Sequence, residues 1–143
     1  MELDIYQVDA FANAIFQGNP AAVCILDEWL PDFLLQAVAM EMNLSETVFA
    51  VKKDDGYRIR WFTPTKEVKL CGHATLATAH ILYERFGIEK GPIRFRSLSG
   101  ILIASPTDEG LISLDFPANP PKPVALTEEI RAAVGGNPVT AVA

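Results

Sequence analysis

Two short stretches hold side chains that could do chemistry. Residues 71–73 read Cys-Gly-His and stand directly before ATLATAHILYERFG, a run of small and apolar residues with helical character. The first N–H groups of a helix lack intrahelical partners, and the dipole places partial positive charge there. That end suits a small carboxylate. Cys71 at such an end is expected to have a lowered pKa favouring thiolate. Gly72 allows close approach of a ligand to the backbone, and His73 can donate a hydrogen bond or shuttle a proton. The second stretch is NLSETVF, residues 43–49. Glu46 opens a strand whose two faces are both largely apolar, and a carboxylate beside apolar neighbours has its pKa raised toward the range useful for proton transfer.

Structural roles compete with these readings. Cys71 could be a small core residue, and His73 a capping side chain. His80, two turns later, reads as a satisfied buried histidine. Glu46 could be an exposed charge at a strand end, with Asn43 and Ser45 making the turn. His73 and His80 do not stand at metal-ligand spacing, so no metal is expected.

The elements that position these residues follow from periodicity. Residues 73–86 are apolar on most sides, so the helix should be buried on most sides. Ala74, Thr75, Ala77, Thr78 and Ala79 keep it thin enough for a curved sheet to wrap closely. LDIYQVDAF alternates as a strand, QGNP is a turn, and AAVCIL is a buried strand. A helix follows Pro31, with Phe33, Leu34, Ala37, Val38 and Met42 as its expected apolar face and Asn43 as its stop. ETVFAVKK and YRIRWFT form a hairpin across Asp54-Asp55-Gly56. PTKEV reads as a polar loop, Gly87 as a helix cap, and PIRFRS, GILIASP and GLISLDFP as three further strands. The order is α+β.

Composition narrows the function. The formal charge is -6, with 18 acidic against 12 basic residues, which argues against nucleic acid. No apolar stretch is long enough to span a membrane. Cys24 and Cys71 read as free thiols, and with no leader segment evident the expected location is cytoplasmic. PANPPKP is linker chemistry. Thr127 is a good N-cap for TEEIRAAVGG, and PVTAVA begins a strand. GNP at 136–138 echoes GNP at 18–20 and hints at internal duplication.

Five spaced segments carry a resemblance: VDAF, GNPAAVCILDEWL, EMNLSETVF, IRWFTPTKEVKLCGHATLATAH and LDFPANPP. Together, from about residue 5 to about residue 121, they resemble the PhzF-like family, named for phenazine biosynthesis. The resemblance implies a diaminopimelate epimerase-like domain, a curved mixed sheet or barrel around a central buried helix. It implies a biosynthetic isomerase acting on a small carboxylate-bearing metabolite without metal, nucleotide or other cofactor. Glu46 matches the family's acid/base glutamate, Gly72 and His73 its substrate-contacting pair, and Asn19 a segment at the cleft edge. Cys71 is a possible alternative base, as in the cysteine epimerases and racemases of the same superfamily. The implied organisation is an N-terminal domain over 1–117, a proline-rich linker over 118–124, and the start of a truncated second domain over 125–143. By that reading the chain alone has little turnover, and it pairs as a homodimer or with a missing C-terminal half. A non-catalytic ligand-binding or assembly domain is the other class.

Overall fold

The structure, a computed structural model, describes residues 2–88, 91–135 and 141–142. In chain order the elements are β1 (Tyr6–Ala10), β2 (Asn19–Leu26), α1 (Asp32–Met42), β3 (Glu46–Lys53), β4 (Gly56–Phe62), β5 (Glu67–Val68), α2 (Gly72–Arg85), β6 (Ile93–Ser97), β7 (Gly100–Pro106), β8 (Ile112–Asp115), β9 (Pro123–Val124), α3 (Glu128–Val134) and β10 (Ala141–Val142). Among the described residues, eight strands form one curled mixed sheet in the order β1-β2-β3-β4-β6-β7-β8, with β5 on the flank of β4. The pairs β2/β3 and β4/β6 are parallel, and the others are antiparallel. Each parallel step needs a crossover. Helix α1 supplies the first and α2 the second.

The two helices lie against opposite faces of the sheet, and side-chain alternation sorts the strands between them. Ala21, Val23, Val48, Ala50, Ile59 and Trp61 join α2 in the larger core. Cys24, Leu26, Phe49, Val51 and Phe62 join α1 in the smaller one. Strand β3 is therefore apolar on both sides, as a strand covered on both faces must be. On α1 the buried residues are Leu35 and Ala39, whereas Phe33 is 75% exposed. The expected face was rotated because this helix is apolar on more than one side, and only contact with β3 and β4 selects the buried stripe. Asn43 ends α1 in the left-handed conformation, its N–H donating to the Ala39 carbonyl at 3.2 Å.

The segment read as a polar loop contains β5. Its cause is Arg60, whose Nε and Nη2 donate to the two carboxylate oxygens of Glu67, each at 2.7 Å. Nη1 donates to Asp32 at 2.8 Å, and the guanidinium lies near the rings of Trp29 and Phe62. This bidentate grip holds Glu67 opposite Phe62 in the ladder. One residue thus ties β4, β5 and the start of α1. Strand β9 falls at the end of the proline-rich stretch and pairs with β10. Thr127 caps α3, its hydroxyl accepting from the Ile130 N–H at 3.4 Å. The second GNP, at 136–138, lies outside the described residues.

Helix α2 fills the concave side of the sheet. Its buried threonines satisfy themselves: Thr75 Oγ1 donates to the Cys71 carbonyl at 2.6 Å and Thr78 Oγ1 to the Ala74 carbonyl at 2.7 Å. Burial is not complete around the helix. His80 is exposed, and Leu76 and Glu84, one turn either side, are not buried. The sheet stops short of closing at its edge strands β1 and β8, leaving a cavity of about 590 Å³ against Leu76, Ala77 and His80. The reading of His80 as buried is thereby corrected. On the wrapped side, Ala79 has no exposure. Ala79→Leu is expected to cost about 1–3 kcal/mol in chemical denaturation by overpacking. His80→Ala should stay within about 0.5 kcal/mol of wild type. Equal sensitivity at the two positions would contradict this placement of the helix.

Candidate active site

Alternation along β3 fixes the direction of Glu46. It shares parity with Val48 and Ala50, which face α2, and stands at the strand's first position. Parallel pairing sets Glu46 opposite Ala21, two residues after Asn19. The start of β2, the start of β3 and the N-terminus of α2 therefore meet at one end of the sheet. His73 on the first turn of α2 brings its Nε2 to 3.6 Å from Glu46 Oε2. Its Nδ1 lies 3.3 Å from Cys71 Sγ. Glu46, Cys71 and His73 each offer a donor atom within 4.8 Å of the others.

Ser45 completes the cluster. Its Oγ lies 3.4 Å from His73 Nε2 and donates to Asn19 Oδ1 at 3.3 Å. Sequence reasoning assigned Ser45 to a turn; the signal available was a hydroxyl directly before the carboxylate. All five residues selected from the sequence converge: Asn19 through Ser45, Glu46 and Cys71 through His73, and Gly72 between the last two. Gly72 is not demanded by packing or backbone strain. A Cβ placed there would meet Phe116 Cε2 at 3.5 Å, an ordinary contact.

The thiol behaves contrary to expectation. Burial pushes the Cys71 pKa up to about 11, over the opposing pull of the Ala74 and His73 N–H groups, and the Glu46 carboxylate adds to the rise. The helix end does favour thiolate, but desolvation outweighs it. With the thiol protonated, S–H can donate to His73 Nδ1 or to the Glu46 carboxylate. The Ser45 proton is taken by Asn19, so the Ser45 oxygen can accept from His73 Nε2. Cys24 is a different case: it is fully buried on the α1 side, and burial raises its pKa to about 12.

Comparison with known proteins agrees with this fold. The curled sheet around a buried helix is a diaminopimelate epimerase-like fold. A hydroxyproline epimerase structure from Agrobacterium vitis superposes with a TM-score of 0.57 over 87% of this chain and 45% of its own, at 12% identity, a likeness of fold alone. The chain belongs to the PhzC-PhzF family, described as phenazine biosynthesis-like protein, whose profile matches residues 8–139. A PhzF family structure from Enterococcus faecalis gives a TM-score of 0.88 at 44% identity, covering 99% of this chain and 54% of that one. An uncharacterized isomerase of Pseudomonas aeruginosa is 53% identical over 135 residues, 94% of this chain and 52% of that protein. The chain thus spans about half the length of the curated relatives it matches. Among the described residues, no helix is long and apolar enough to cross a membrane.

Alkylation of Cys71 by iodoacetamide in the native protein is expected to accelerate with pH toward about 11. Peptide mass mapping reads each cysteine separately. A rate that levels off near the ordinary cysteine value of about 8.5 would contradict the buried thiol.

Proposed function

We propose that the chain forms one wall of the active site of a PhzF-like isomerase, in which Glu46 moves a proton between two positions of a small carboxylate-bearing substrate. The observation that carries this reading is the inward-facing Glu46 carboxylate 3.6 Å from His73 Nε2 at the N-terminus of a buried helix. Glu46 removes a proton from a substrate carbon and returns it elsewhere on the same molecule, so the atoms balance without an oxidant or second reactant. The backbone at Gly72 and the His73 ring orient the substrate carboxylate, and the partial positive charge of the helix end favours it there. Asn19 and Ser45 border the cleft and hold the ring.

A cysteine two-base epimerase would need Cys71 as thiolate, which burial disfavours. The short Cys71–His73 contact, at 3.3 Å, is the feature in its favour, since the ring could accept the thiol proton. The opposite wall of the cleft is assigned to a further domain, because the chain spans about half of its relatives. The 143 residues alone are expected to show little turnover.

The test uses a full-length counterpart in D₂O with a panel of small carboxylates bearing acidic C–H groups, followed by NMR. Glu46→Gln is expected to lower deuterium incorporation by at least about 10²-fold, the usual worth of a general acid/base. Cys71→Ser should retain most of it. Gly72→Ala should fold normally yet weaken substrate binding. Loss with Cys71→Ser and retention with Glu46→Gln would transfer the chemistry to the cysteine.

A further inference from the structure

The same three side chains form a donor set that spacing along the sequence does not disclose. Cys71 and His73 come from the start of α2, and Glu46 comes from the start of β3. They offer one sulfur, one imidazole nitrogen and one carboxylate oxygen, all within 4.8 Å of one another. Bond lengths of about 2.0 Å to nitrogen and 2.3 Å to sulfur put the donors of a tetrahedral zinc ion roughly 3.3–3.6 Å apart. Cys71 Sγ and His73 Nδ1 already stand at 3.3 Å. The Glu46 carboxylate, whose Oε2 lies 3.6 Å from the opposite ring nitrogen, Nε2, needs a side-chain rotation to complete the third corner.

We propose that Glu46, Cys71 and His73 bind a thiophilic divalent cation, zinc above all.

A mixed sulfur, nitrogen and oxygen set selects zinc and its borderline neighbours over magnesium or calcium, which take oxygen. On binding, the sulfur–metal bond forms and the Cys71 proton leaves to solvent. Thiolate, carboxylate and neutral imidazole then carry two negative charges against two positive ones, so the buried complex is neutral. Three protein ligands leave a fourth position for water. With the metal on Nδ1, the opposite nitrogen of His73 donates to Ser45, which is itself held by Asn19. Such an outer hydrogen bond fixes tautomer and ring orientation for a metal ligand. The proposal stands on donor geometry and does not require the isomerase reading. If that reading holds, the ion disables Glu46 and His73 together.

Cobalt(II) added to the 143-residue chain reports on sulfur ligation through a near-ultraviolet thiolate-to-metal charge-transfer band. The band is expected in wild type and in Cys24→Ala, and lost in both Cys71→Ser and Cys71→Ala. His73→Asn and Glu46→Gln should each weaken the apparent affinity at least about tenfold, as loss of one ligand from such a set requires. X-ray absorption at the zinc edge, on unmodified chain with one equivalent of zinc, should show one sulfur and at least one imidazole; this arm does not depend on any variant folding. Absence of the cobalt band, its survival without Cys71, or a zinc shell of nitrogen and oxygen only would overturn the proposal.

Discussion

Everything at the site depends on β3 being clamped between two helices. A strand with α1 on one face and α2 on the other cannot slip by one residue, because the slip would exchange every side chain between the two cores. Val48 and Ala50 pack toward α2 while Phe49 and Val51 pack toward α1. Glu46, at the same parity as the first pair, has no choice of side. The carboxylate is aimed by apolar packing several residues away, with no ion pair needed to hold it. Parallel pairing with β2 then sets Asn19 at the same end, and the crossover through α2 sets Cys71, Gly72 and His73 there.

The chemistry is governed by a contest at Cys71. The unpartnered N–H groups of a helix end stabilise an anion, and here they do act on the sulfur. Removal from water acts more strongly, and a neighbouring carboxylate works in the same direction. The outcome is a thiol, and a thiol is a hydrogen-bond donor. That donor faces both His73 Nδ1 and the Glu46 carboxylate. Its protonation also weighs against Cys71 as the base, although Glu46 and Cys71 both border the ring.

Much of this was legible in the residues. Clean alternation in YRIRWF and the β-branched, aromatic content of ETVFAVKK gave strand limits, and the small side chains of α2 gave its thin, wrapped character. The departures share a cause: each depends on contacts between segments distant in the chain. The buried stripe of α1 follows from which face β3 and β4 accept. The exposure of His80 follows from the sheet ending at β1 and β8. Strand β5 exists because Arg60, in another strand, grips Glu67. Ser45 gains a role only once Asn19 and His73 arrive from either side. The Cys71 pKa could not be read from its place at a helix end, because burial is a property of the assembled core.

The most direct test of the account is the ionisation of the Cys71 thiol in Cys24→Ala, followed through the ultraviolet absorbance of thiolate. The account predicts no thiolate near neutral pH, its signal growing only toward about 11. A thiolate already formed at neutral pH would contradict it and pass the role of base to the cysteine.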